Sequence, residues 1–161
     1  MIEPAELVKA FERNTRIIEM QTDGLSHEDS LIQTEYNINC LNWVVGHVVQ
    51  YRDEMFALLG HERLMSPEVS ERYARESHPI IEEGPHVMQL DDLVALVRKS
   101  QGRIADVLDS MTEEQLAGER TTGDRTSTVS SRLFFNFFHD TYHVGQTELL
   151  RQVAGVDDSI I

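Results

Sequence analysis

The stretch that decides the fold is FFNFFHDTYHVGQTELLRQVAG, residues 134–155. On a helical wheel turned by about 100° per residue, His139 and His143 stack on one face, because residues four apart are neighbours on a helix. Phe135, Phe138, Tyr142, Leu149 and Val153 form an apolar arc beside that pair, and Asn136 and Gln146 flank it. Leu150 lies almost in line with His139, and Arg132 lies near the same line two turns earlier. A second apolar arc, Leu133, Phe137 and Val144, faces away from the histidines. A helix that is apolar on two sides is either central in its domain or shared with another subunit. This second arc is therefore expected either to pack inside the monomer or to make a homodimer contact. The pattern runs from about Thr128 to Val153, with Gly155 as its stop.

Working outward, three more stretches carry helical periodicity. The first runs from about Pro4 to Met20, with Pro4 suited to a first turn and Leu7, Phe11, Ile17 and Ile18 as its apolar stripe. The second runs from about Tyr36 to Leu59 and stops at Gly60. The third runs from about Leu90 to Leu108, with Asp91 or Asp92 as a candidate cap. Thr112 to Leu116 reads as one more capped turn. Residues 21–35 are a polar linker, 118–127 a turn-rich crossing, and 61–89 a long excursion carrying Pro67, Pro79, Pro85 and Gly84. Loops of that length are uncommon unless they do something, such as cover a site. The expected fold is all-α: one domain over residues 1–161, a four-helix bundle with a long loop excursion between its second and third helices.

On the wheel of the second stretch, Cys40, Trp43, Val44, Tyr51, Glu54, Met55 and Leu58 share a side with His47. Asn39, Asn42, Gly46, Gln50 and Asp53 fall on the other side, which is expected to be wet. His47 and Glu54 therefore sit on a buried stripe, where a polar group needs a partner. A lone histidine there is more often satisfied by a local carbonyl than by a metal. Convergence changes the weighing. The second stretch has its midpoint near residue 47 or 48 and the last near 140 or 141. Helices of similar length packed side by side hold their midpoints at one level, whichever way they run. His47, His139 and His143 are thus expected to meet halfway up the bundle interior, where bundles build metal sites. Three imidazoles aimed at one spot make poor core packing, since each brings a donor and an acceptor. His27, His61, His78 and His86 read as surface loop residues, with His78 or His86 a fourth ligand only if the excursion folds back. Cys40 is two turns from His47, about 10.5 Å along the axis, and reads as core.

The chain carries 28 acidic and 14 basic residues, a net charge of −14. Such a surface repels phosphate backbones and anionic lipid, so neither nucleic acid nor a membrane is an expected partner. No apolar run approaches the ~20 residues of a bilayer span. MIEPAELVKAFERN has no apolar signal core, and a single cysteine fits a reducing, cytoplasmic location. There is no Gly-rich phosphate loop, Cys-x-x-Cys or nucleophile elbow.

NWVVGHVVQYRDEMFALLG in the second stretch and HDTYHVGQTELLRQVAG in the last resemble the DinB-like superfamily, which includes YfiT-type metal-dependent hydrolases and several thiol-dependent transferases. The most specific pieces are H-x-x-x-H-x-G-Q and the trailing L-L-R-Q-x-x-G. The resemblance covers nearly the whole chain. It implies a four-helix bundle, often dimeric, whose metal ligands correspond to His47, His139 and His143. The expected ion is divalent, zinc or nickel first, and a low-molecular-weight thiol is the implied co-substrate. Where the family often has Arg or Lys before the Gly-Gln pair, this chain has Val144.

Three His ligands leave the +2 charge intact and a coordination position open. The expected activity is therefore thiol transfer or hydrolysis on a small-molecule substrate, the alternative being a non-catalytic metal-binding stress or sensing module. Asn136, Gln146, Tyr51 and Glu54 are candidates for contacts to ligands or substrate. Trp43, Phe138 and Tyr142 are candidates for the walls of an apolar pocket. Taken singly, each of the seven is better explained by ordinary core or helix-face packing.

Overall fold

A computed structural model describes residues 3–36 and 38–158. In chain order its elements are α1 (Pro4–Thr22), α2 (His27–Ser30), α3 (Leu41–Leu58), α4 (Pro67–Arg72), α5 (Leu90–Asp109), α6 (Glu113–Ala117), β1 (Glu119–Thr122), β2 (Arg125–Thr128) and α7 (Val129–Val153). The long helices α1, α3, α5 and α7 build an all-α four-helix bundle. α1 opens on Pro4, α7 is capped by the Thr128 hydroxyl accepting from Ser131 N, and α3 is stopped just before Gly60, whose φ is +83°. Neither Asp91 nor Asp92 caps α5. Gln89 holds the cap position, and the two acids sit in the first turn against the helix dipole.

α1 and α3 each pack against both α5 and α7, so the ring order is α1–α5–α3–α7. Contacts along the helices give their directions. Asn14 meets Asp140 while Arg151 meets the carbonyls of Gln21 and Asp23, so α1 and α7 run parallel. Arg52 reaches Val97 and Ser100 while Arg103 lies over Phe56, so α3 and α5 run parallel. Gln101 bonds to Val8 and Arg98 pairs with Glu19, so α1 and α5 oppose each other. The sense is up, down, down, up. This explains the long excursion. After α3, about 27 Å long for its 18 residues, the chain must return the whole length before it can start α5 in the same direction.

The return segment wraps α3, and this corrects the wheel. Asn42, Gly46, Gln50 and Asp53, expected on a wet face, are buried. Met65, Tyr73 and Ile80 of the wrap join the α3 valines in the core. The polar side chains under the wrap bind its backbone: Asn42 donates to Met88 O at 3.0 Å, and Asp53 accepts from Leu64 N and Met65 N at 2.9 and 2.8 Å. Buried polar groups are thus satisfied by the segment that buries them. Glu54 goes the other way. It is exposed and pairs with Arg63 on the surface instead of sitting in the stripe.

Other boundaries also differ. α3 starts at Leu41, not Tyr36, and Tyr36 is 70% exposed. The polar linker holds α2, closed by a capping box between Ser26 and Asp29. The turn-rich crossing is the β1–β2 hairpin, with Thr122 opposite Arg125 across Gly123–Asp124. On α7 the two arcs exchange roles. Leu133 and Val144 are buried and Phe137 packs edge-on against Phe11 of α1, so that arc lies inside the monomer. The arc beside the histidines is outside: Phe135, Phe138, Tyr142 and Leu149 are 49%, 58%, 60% and 61% exposed.

Candidate metal centre

His47 comes from the middle of α3, and His139 and His143 from successive turns of α7. One ring nitrogen of each lies within 4.8 Å of the others. The convergence follows from antiparallel packing of α3 and α7, which sets the turn of His47 against the two turns of His139 and His143. His47 and His143 are buried and His139 is partly so.

The surroundings set each ring. The His47 Nδ1–H donates to the Tyr73 carbonyl at 2.7 Å, which leaves Nε2 as the lone-pair nitrogen. His143 Nδ1 donates to the Gln146 amide oxygen at 2.8 Å in the same way. Among the described residues, His139 Nδ1 is buried with no hydrogen-bond partner. Trp43 stacks on His47 (centroids 4.5 Å apart), Tyr51 stacks on His139 (3.6 Å), and Tyr142 stands edge-on to His143 (5.3 Å). Burial, reinforced by His143, pushes His47 down to about 4 and His139 to about 3. Burial also lowers His143, against the pull of Gln146 and Asp140. All three are neutral at physiological pH, the form in which an imidazole binds a metal. The donor set therefore suits a divalent ion, and the orphaned nitrogen of His139 fits a ring of imidazoles arranged around a cation better than it fits plain core packing.

Two cavities flank the histidines along the α3–α7 groove. One, about 410 Å³, reaches His143 between Ile38, Trp43, Tyr142, Gln146 and Leu149. The other, about 300 Å³, lies beyond Tyr51 and includes Arg132, Phe135 and Asn136.

The DinB family profile matches residues 1–160. The chain belongs to the DinB family. The crystal structure of a conserved protein from Enterococcus faecalis has the same DinB-like fold, with a TM-score of 0.75 at 19% identity over 96% of this chain and 98% of that one. No curated protein matches the chain.

Of the residues singled out in this DinB-family sequence, His47, His139, His143, Trp43, Tyr51, Tyr142 and Gln146 come together. Asn136 lines the smaller cavity, and Phe138 points outward. Glu54 lies at the rim of that cavity, bonded to Arg63. His61, His78 and His86 are exposed, and neither His78 nor His86 joins the cluster. His27 is on α2, not on a wet loop, with both ring nitrogens buried and, among the described residues, unpartnered. What the excursion does bring to the site is Tyr73, a residue that sequence reasoning missed. No helical periodicity marks it, and it acts through a backbone carbonyl, which has no residue code. The Arg52–Asp140 pair behind the histidines was also missed. Asp140 accepts from Arg52 Nε and Nη2 at 3.1 and 2.8 Å, and both side chains are nearly fully buried. Its signal was present, since Asp140 falls in line with the apolar arc of Leu133, Phe137 and Val144.

Proposed function

We propose that this chain binds one divalent ion through His47, His139 and His143 and uses it on a small molecule, by thiol transfer or by hydrolysis. The observation that carries this is the convergence of three neutral, buried imidazoles from two helices. A divalent ion held there supplies a nucleophile from water or a thiol at neutral pH and polarises a carbonyl. The chain's own groups do the rest. The Tyr73 carbonyl and the Gln146 amide fix the tautomers of His47 and His143. Trp43 and Tyr51 clamp two of the rings. Trp43, Ile38 and Leu149 offer apolar walls to a substrate entering beside His143. That cavity supports catalysis over a purely metal-holding stress or sensing role, which needs no opening beside its ligands. The ligand set suits zinc or nickel.

Elemental analysis of tag-free protein tests the reading. About one equivalent of divalent metal is expected per chain, with His139→Ala and His143→Ala both purified metal-free. Wild-type protein without metal, or metal content unchanged in both variants, refutes it.

We also propose that the outer stripe of α7 pairs with a second copy of this chain. Phe135, Phe138, Tyr142 and Leu149 recur at spacings of three, four and seven, a self-complementary seam that carries no charge in an otherwise strongly acidic chain. An aromatic side chain offers 150–250 Å², so four half-exposed large residues give roughly 400 Å², about half of what one partner buries in a standard interface.

A further inference from the structure

The smaller cavity beside the histidines has the makings of a site for an anionic group. One of its walls, Tyr51, is the ring that lies flat on His139 at 3.6 Å. Arg132, Asn136, His139 and His143 follow one another along a single face of α7, and Arg132 precedes His139 by about 10.5 Å of helix axis.

The charges around the cavity are unequal. Arg132 donates from Nε to Ser127 Oγ at 2.8 Å and from Nη2 to the Arg125 carbonyl at 3.4 Å, which holds the guanidinium against the β1–β2 hairpin. Neither partner is an acid, and among the described residues no carboxylate forms an ion pair with Arg132. Glu54, the acid that lines this cavity, gives both its oxygens to Arg63, at 2.6 and 3.0 Å. In a chain of net charge −14, this leaves a positioned and uncompensated cation facing a cavity next to three histidines. An arginine fork matches a carboxylate in geometry as well as in charge.

We infer that Arg132, with the Asn136 amide beside it, binds a carboxylate of a ligand whose other end sits at the three histidines. The site then selects small molecules that carry an acid about two helical turns from their reacting atom. This inference rests on the metal-binding reading above.

Cobalt(II)-loaded protein tests both, because thiolate coordination changes its visible spectrum whether or not any reaction occurs. The probes are mercaptohexanoate, mercaptohexanol and mercaptoacetate. Wild-type protein is expected to bind mercaptohexanoate about tenfold to a hundredfold more tightly than mercaptohexanol. Mercaptoacetate, too short to span the distance, should show no such gain. Arg132→Gln should abolish the preference and leave mercaptohexanol binding unchanged, which also shows that the variant is folded. Ser127→Ala, which keeps the charge, should retain the preference. Equal binding of the two long thiols by wild type, or a preference that survives in Arg132→Gln, overturns the carboxylate site and leaves the metal reading standing. Failure of the protein to take up cobalt overturns the metal reading and the carboxylate site together, whereas a cobalt-loaded protein that responds to no thiol overturns the carboxylate site alone.

Discussion

At Gly46 the absence of a side chain is a requirement of the site. A methyl group there would lie 2.2 Å from Tyr73 Cδ1. Tyr73 is fully buried. Its hydroxyl donates to Asn42 Oδ1 at 2.9 Å and accepts from Met88 N at 2.8 Å, and its carbonyl accepts from His47 Nδ1–H. Burial pushes the phenol up to about 12, so it remains a neutral donor. The seat of this ring on Gly46 therefore sets the position of the carbonyl that orients His47. Gly46→Ala is expected to cost about 1–3 kcal/mol of stability through overpacking. It should also weaken metal binding about tenfold to a hundredfold, the usual effect of losing a group that orients a ligand. Urea unfolding and titration against a competing chelator read the two effects separately. Gly102→Ala is the control. A methyl there meets nothing within 4 Å, and the change should raise stability by up to about 1 kcal/mol through helix propensity. Stability lost at residue 46 with metal affinity intact would deny the carbonyl its role.

The helices show what periodicity can and cannot resolve. It located all four long helices within a few residues, because 3.6-residue spacing of Leu, Ile, Val and Phe is a local property. It did not say which apolar arc of α7 faces inward. Both arcs are built of large apolar side chains, and only the neighbours decide. Leu133 and Val144 join the core and Phe137 packs on Phe11 of α1, while Phe135, Phe138, Tyr142 and Leu149 stay outside. α3 failed in the opposite sense. Its polar side looked solvated because the wrap that covers it has no helical pattern of its own beyond the six residues of α4. The α7 stripe carries its own prediction. Sedimentation of the wild-type chain should give a dimer. Phe138→Glu, which places a charge in the middle of the uncharged seam, should give a folded monomer with its metal content retained. A wild-type monomer, or a Phe138→Glu dimer, would reject α7 pairing.

Across the whole molecule, the meeting of the three histidines was legible, because the wheel turned His47 inward and helices packed side by side bring residues near their centres to about one level. The polar network at that level was only partly legible, because apolar periodicity carries no information about which buried charges pair. Arg52 of α3 and Asp140 of α7 form a buried ion pair at 2.8 Å. Asn14 and Thr15 of α1 join it at 3.1 and 3.0 Å, and Ser100 of α5 at 2.9 Å. All four long helices therefore meet in one network, at the level of the histidines. Desolvating two charges offsets much of their attraction, so such a pair is weak evidence of stability and better evidence of a device that sets helix register. The two roles can be separated. Asp140→Asn leaves the Arg52 charge buried without its counter-ion and should cost about 3–5 kcal/mol in urea unfolding. The double variant Arg52→Met/Asp140→Leu removes both charges and should recover most of that loss. If the network sets register, the double variant should still bind metal several-fold more weakly than wild type, because α3 and α7 would no longer be held at the level that brings His47 to His139 and His143. A double variant with wild-type stability and wild-type metal affinity would instead assign register to the apolar packing of Phe11, Met55, Ile104 and Leu133, which lie together in the neighbouring core.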